Sequence, residues 1–318
     1  MFRISQLKMQ WTFLVPMECA GQRLDHFLAS HLSDIATRSQ IQRWIERGGV
    51  SVQGLTTTKF GFKLDFGTEI QVRRPELPPA HLEPIPMEIP ILWEEEEFAV
   101  VHKPPGIACH PGPGEDKPTL VNGLLHQFNK LSFHSNARRP GLVHRLDKPT
   151  EGVLLVAKSE RAHSILAGFF QNRTIQKTYL AWALQSPPDS QGSITKPIAR
   201  HPVDRLKMTI TEKGRNAISH YTTKEIIPTH NGRKFSLVEI ELETGRTHQI
   251  RVHLQSIGCP VVGDSLYSRS WKEYENFGLL LLAQRIAFQH PFLPNKTIDV
   301  SIELPQRFLD FQRKCRNY

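Results

Sequence analysis

One carboxylate stands out for its setting. Asp147 lies in the run Gly141–Lys158, GLVHRLDKPTEGVLLVAK, where Pro140 and Gly141 mark the entry and Pro149 and Gly152 the exit. The apolar run Val153–Ala157 behind it reads as a buried strand. A loop that feeds a core strand holds its side chains on a rigid support, the usual place for groups that do acid–base or nucleophilic work. The same residues also suit an Asx turn, in which the carboxylate caps its own backbone beside proline. Residue types alone leave both readings open. A second polar cluster, Thr244–Leu254 (TGRTHQIRVHL), sets two arginines and two histidines around apolar positions that a helix would bury, and Gly258 ends it.

These clusters need elements to hold them. Phe98–Val101 reads as a short strand, Thr119–Phe128 as a capped helix and Ala162–Asn172 as a helix. Lys177–Trp182, Ser236–Leu242 and Leu279–Phe288 read as strands, and residues 186–234 as several short peripheral ones. Between the first strand and the helix, Lys103-Pro104-Pro105-Gly106 and His110-Pro111-Gly112-Pro113-Gly114 make a rigid loop of turn residues. It lacks the spacing and the Lys-Ser/Thr ending of a Walker phosphate loop, so nucleotide hydrolysis is a poor reading.

Upstream the pattern changes. Leu24, Phe27, Leu28, Leu32 and Ile35 recur at helical spacing, and Ile41, Trp44 and Ile45 do so in a second helix opened by Thr37-Arg38-Ser39-Gln40 and stopped by Gly48-Gly49. Val50-Ser51-Val52 is a short strand. Arg38, Gln42, Arg43 and Arg47 give the second helix a basic side, read here as an RNA-binding face rather than a plain solvated one. Residues 1–17 read as a leader. The six prolines between Pro75 and Pro90 read as an extended, solvated linker. The expected domains are residues 18–76, a linker 77–90, and residues 91–318.

Composition narrows the partners. The 318 residues carry a net charge of +9, which favours a polyanion, nucleic acid first. No apolar run reaches the length of a membrane span, and no basic amphipathic helix has the wide apolar face of a membrane-surface binder. The four cysteines are scattered without a C-x-x-C pair, which argues against structural zinc and fits a reducing, cytoplasmic setting. No metal-ligand or dinucleotide motif is present, so neither metal nor cofactor is expected.

Taken together, His144-Arg145-Leu146-Asp147, the Lys177-Thr178-Tyr179-Leu180-Ala181 strand, TGRTHQIRVHL and Gly263-Asp264-Ser265-Leu266-Tyr267, in this order, resemble the RluA/RluD-type pseudouridine synthases. The resemblance covers about residues 93–304, and the KPPG…HPGPG loop fits it. Residues 21–72 resemble the ribosomal-S-four-type RNA-binding module, through RLDHFLA, the RSQIQRWI helix, the strand and turn Gly48–Gly54, Lys63, and Gly67-Thr68-Glu69-Ile70. The resemblance implies an α+β protein: a long, mixed, mostly antiparallel sheet with flanking helices and loops, behind a small α+β RNA-binding module. It implies an enzyme that isomerises uridine to pseudouridine in structured RNA, large-subunit ribosomal RNA first and transfer RNA second; a monomer is expected. It assigns bond cleavage to Asp147, stacking on the flipped uracil and proton removal to Tyr179, ion pairing with the carboxylate to Arg251, and base expulsion to Arg145. His144, Arg246, His248 and Gln249, with Arg38, Arg43 and Arg47, are expected to bind RNA.

The chemistry asks for these residue types. A carboxylate in a closed site drifts toward its neutral form, and a neighbouring guanidinium holds it ionised in fixed geometry. Two stretches depart from the family's usual pattern: Lys148-Pro149-Thr150-Glu151-Gly152, where Glu151 adds negative charge near Asp147 and Pro149 stiffens the loop, and Leu282-Ala283, where a histidine is usual before the alanine. The alternative is a catalytically silent RNA-binding or assembly factor that kept the fold. Loss of Asp147, Tyr179 or Arg251 would have marked it, and all three are present.

Overall fold

A computed structural model describes residues 10–33, 35–36, 38–73, 82–112, 115, 117–133, 139–230 and 232–316. It forms two compact units, divided between Ala80 and His81.

In the first unit, β1 (Gln10–Leu14), α1 (Leu24–His31), α2 (Arg38–Glu46), β2 (Val50–Val52), β3 (Leu55–Thr56) and β4 (Glu69–Arg73) follow in order. The strands make an antiparallel sheet, β1-β4-β2-β3. Leu24, Phe27 and Leu28 of α1 and Ile41 and Ile45 of α2 bury against Val50, Ile70 and Val72, as their helical and alternating spacings require. The leader expected over residues 1–17 is corrected here: Gln10–Leu14 is a strand paired with β4, and Trp11 stacks on Trp44 with ring centroids 6.0 Å apart. Residues 1–9 and Thr37, the expected cap of α2, lie outside the described residues.

The second unit is built on β5 (Ile91–Glu94), β6 (Phe98–Lys103), α3 (Leu120–Gln127), β7 (Glu151–Ala157), α4 (Glu160–Gln171), β8 (Gln176–Leu184), β9 (Gln191–Thr195), β10 (Ile198–Arg200), β11 (Met208–Ile210), β12 (Ile218–Pro228), β13 (Lys234–Leu242), α5 (Gln249–Ser256), β14 (Leu281–Gln289), β15 (Thr297–Ser301) and α6 (Gln306–Arg316). Among the described residues, nine strands join in one mixed sheet, β5-β6-β7-β14-β8-β13-β12-β9, with β15 paired to β14. Only the β7–β14 pairing is parallel within it. β10 and β11 form a separate hairpin.

Alternation along the strands separates the buried side chains of the sheet into three clusters. Ala99, Val101, Leu154, Val156, Tyr179, Ala181, Val238 and Ile240 share one core with Leu120 and Leu124 of α3 and Ile250 and Leu254 of α5. Phe98, Val100, Val153 and Leu155 pack with Ala162 and Leu166 of α4, and Leu180 and Trp182 with Phe308 and Phe311 of α6. β7 is therefore buried along its whole length, a firm support for the loop that precedes it.

The part of the Pro-rich stretch that is described, residues 82–90, is not a solvated linker. Ile89 is buried; the Ile85 N–H donates to the Asn122 carbonyl; Asn122 and Gln127 of α3 donate to the Glu83 and Ile89 carbonyls. Proline removes donors but leaves carbonyls and apolar side chains, and α3 takes up both. Among the described residues, no helix is long and apolar enough to cross a membrane.

Candidate active site

The loop carrying Asp147 is anchored at the residues around that position. Leu155 N–H of β7 donates to His144 Nε2 at 2.9 Å, and the His144 ring stacks on Phe170 at 4.4 Å. Leu146 N–H lies 3.4 Å from Cys109 Sγ, whose thiol reaches the Leu146 carbonyl at 3.3 Å. The Lys148 carbonyl accepts from Gly106 N–H at 2.9 Å and from the buried Lys103 ammonium at 3.2 Å. The KPPG loop thus clamps the residue after Asp147. Burial pulls the Lys103 pKa down to about 8, against the charges of Cys109, Asp147 and Glu151, which favour its protonated form.

Gly152 makes the loop's exit possible. It sits at φ +131°, where β7 and β14 run side by side, and a Cβ there would collide with the Ala283 backbone. Glu151 is already compensated: Arg307 donates to it at 2.8 Å and His102 lies at 3.2 Å. Burial opposes its ionised form, yet these bonds hold its pKa below the usual range. The charge anticipated as a burden on Asp147 is therefore shared with the C-terminal helix.

Asp147 is 16% exposed at its side chain and opens into a cleft lined also by Arg145, Tyr179, Arg246, His248 and Arg251. Arg251, buried on α5, reaches Asp147 Oδ2 at 3.5 Å. Its guanidinium is fixed from behind by Asp264, which accepts at 2.8 and 2.7 Å, and its face lies 5.2 Å from the Tyr267 ring centroid. Burial alone would favour loss of the Arg251 proton; the Asp264 bonds and the Asp147 charge more than offset it, and its pKa is raised. His248 caps α5 in the left-handed region, at φ 56°, uncommon for a residue with a side chain. Its Nε2 lies 3.9 Å from Asp147 Oδ2, and its Nδ1 lies 2.9 Å from the Tyr267 hydroxyl, which accepts from Met208 N–H of the β10–β11 hairpin. Burial favours the neutral ring, so His248 pKa is lowered.

Tyr179 stands on β8 between β13 and β14, paired with Ile240 and Ala283. Burial, then the charge of Asp147, push its pKa up, so the phenol stays protonated. The cleft therefore joins an ionisable carboxylate, a fixed cation and a neutral aromatic hydroxyl. Among the described residues no group of three or more His, Cys, Asp or Glu side chains is placed to hold a metal ion.

Two expected RNA contacts have other work. Gln249 is buried: its Oε1 accepts from Thr244 Oγ1 and Arg246 N–H, and its Nε2 donates to the Ile218 carbonyl and Ser219 Oγ. Its bonding capacity is spent on the turn before α5 and on β12, so the RNA-binding reading of Gln249 is corrected. His144 accepts a backbone N–H, and burial and the Lys177 charge pull its pKa down to about 3, which makes it a neutral prop of the loop. Arg145 is exposed at the rim, 3.4 Å from His110 Nε2, and Arg246 Nε donates to the Asn216 carbonyl.

In the first unit, Arg38 donates to the buried Asp25 carboxylate at 2.9 and 3.1 Å, beside bonds from Arg23 and Gln42. Arg38 is thereby tied to α1, while Arg43 and, just past the end of α2, Arg47 are exposed. Burial would raise the Asp25 pKa, but these donors hold it far below the carboxylate range. Sequence reasoning named no role for Lys103, Asp264 or Tyr267. Asp264 and Tyr267 lie in the GDSLY motif, so their signal was present without a partner to give it meaning.

The chain matches the family described as RNA pseudouridylate synthase over residues 97–256, a span that includes Asp147, Tyr179, His248 and Arg251. It is 40% identical over 300 residues to the ribosomal large subunit pseudouridine synthase D of Zymomonas mobilis, covering 91% of this chain and 92% of that protein. It is 39% identical over 274 residues to the RNA pseudouridine synthase YlyB of Bacillus subtilis, covering 86% of this chain and 88% of that one. Among solved structures it resembles human RNA pseudouridylate synthase domain containing 1, with a TM-score of 0.57 and 26% identity, over 75% of this chain and 90% of the human one.

Proposed function

This chain belongs to the RNA pseudouridylate synthases of the RluA type, isomerases that act on RNA, and we propose that its substrate is a uridine in structured large-subunit ribosomal RNA. The observation that carries the mechanism is the meeting of Asp147, Arg251 and Tyr179 in one cleft. In this reading the target nucleotide is extruded into the cleft, at a cost of a few kcal/mol. Arg145, exposed at the rim, takes the place the base leaves. Asp147 starts cleavage of the C1′–N1 bond, as nucleophile or by removing a ribose proton, and Arg251 faces it at 3.5 Å. The uracil turns over Tyr179, a C1′–C5 bond forms, the C5 proton leaves and N1 gains one. Bonds and electrons balance without redox change.

The ribosomal target draws support from the 40% identity to the Zymomonas protein. The first unit, with two helices on a small sheet and Arg43 and Arg47 exposed, fits an RNA-docking module of the ribosomal-S-four type. The test is conversion in vitro: large-subunit ribosomal RNA and transfer RNA are incubated with the protein and pseudouridines are mapped. The expected result is modification in the ribosomal RNA, lost with Asp147→Asn; modification confined to transfer RNA would overturn the target.

A further inference from the structure

A groove of about 470 Å³ runs from the catalytic cleft along α4 and β8, and Arg145, Tyr179 and Arg246 line both. Its wall adds Lys177 and Arg173, neither used by the chemistry above. Lys177 is half-buried and pairs with no carboxylate among the described residues; its ammonium stands 5.9 Å from the Phe170 ring centroid. Burial, then the Arg173 charge, pull its pKa down. Arg173 is exposed and meets Glu243 only at 3.9 Å, while Glu243 is engaged by His220 at 2.7 Å. Arg145 contacts His110 and Arg246 a carbonyl. Four cations thus face one groove with a single shared carboxylate at its rim, and His144 beside them is neutral.

Like charges so placed repel one another in the free protein, an arrangement that an anion relieves. Lys177 and Tyr179 are two positions apart on β8, so they point to the same side, roughly 7 Å apart along the strand. A base over Tyr179 therefore puts its own backbone within reach of Lys177. We propose that this groove seats the phosphodiester backbone beside the extruded uridine, with Lys177 and Arg173 as its phosphate contacts. The proposal rests on the synthase reading for its ligand.

Binding of a uridine-containing fragment of large-subunit ribosomal RNA to the full-length protein, measured over a series of salt concentrations, tests it. The double variant Lys177→Gln/Arg173→Gln should bind about tenfold more weakly at low salt, and its plot of log affinity against log salt should flatten by roughly one to two units. Lys177→Arg should keep the parent slope. Glu243→Gln, which removes the rim carboxylate, should tighten binding a few fold. Lys224→Gln, on β12 and paired with Glu239, should change neither affinity nor slope. Equal slopes for the parent and the double variant overturn the groove, as does weaker binding with the slope unchanged. If the parent binds the fragment but forms no pseudouridine, the synthase reading fails, while the slopes still decide the groove.

Discussion

Arg251 grips Asp264 with two short hydrogen bonds and reaches Asp147 with a single long one of 3.5 Å. The guanidinium is therefore aimed by a carboxylate that is fully buried and takes no part in the cleft. Planar fork geometry lets one residue serve both, which a lysine could not do. The cation's position is set before any substrate arrives.

The rate of the chemical step should report that arrangement. Arg251→Met alone strands the buried Asp264, so the informative variant pairs it with Asp264→Asn. Without the guanidinium, the Asp147 carboxylate loses the cation that lies 3.5 Å from its Oδ2. The single-turnover rate at saturating RNA should fall by at least about a hundredfold, equivalent to roughly 3 kcal/mol of barrier, with RNA affinity within a few fold of the parent. An unchanged rate in the folded double variant would make Arg251 a structural residue only.

Lys103 predicts a stability signature. Its folded pKa of about 8 lies below the ordinary value of 10.5, so between those values the unfolded chain binds more protons. Stability therefore rises with pH across that window, and below about pH 8 the penalty is constant. Over the full window the gain is about 3 kcal/mol. In urea unfolding from pH 7.5 to 10, Lys103→Met should lack this rise. Parallel curves for parent and variant would contradict a buried, titrating lysine.

Gly152→Ala should disturb the site from behind. The added methyl meets the Ala283 backbone where β7 and β14 pair, and φ +131° is strained for any side chain. A loss of at least about 2 kcal/mol is expected from the steric and conformational costs together, with turnover falling because Asp147 hangs on this junction. A variant as stable and active as the parent would show that β14 can shift freely.

Much of this was legible because it is local. The HRLD loop, the tyrosine strand and the arginine helix each carry their pattern within a dozen residues, and the alternation along β8 puts Tyr179 on the face it occupies. What was missed depends on distant partners. Gln10–Leu14 becomes a strand through Glu69–Arg73, and residues 82–90 are ordered by α3. Gln249 looked like a polar contact for RNA, yet it satisfies a turn whose acceptors come from β12. Arg38 looked free until Asp25 of α1 was beside it. The meaning of Asp264 needed the fold that brings it behind Arg251.

The first unit should act in docking. A chain beginning at Leu82, which keeps the segment packed on α3, should bind structured RNA more weakly and with a shallower salt dependence, by roughly one unit for each lost phosphate contact. The rate of the chemical step at saturating RNA should change little, since Asp147, Tyr179 and Arg251 all remain. Equal salt slopes would remove the docking role, and loss of turnover at saturation would give the first unit a part in the active site.

Asp147→Asn tests the central claim most directly. The substitution keeps the shape and removes the charge that Arg251 faces. Single-turnover assays on uridine-containing RNA should show a fall of at least about a thousandfold, equivalent to roughly 4 kcal/mol of barrier, with RNA affinity within a few fold of the parent. Pseudouridine formation within tenfold of the parent rate would contradict the assignment of Asp147 as the group that breaks the glycosidic bond.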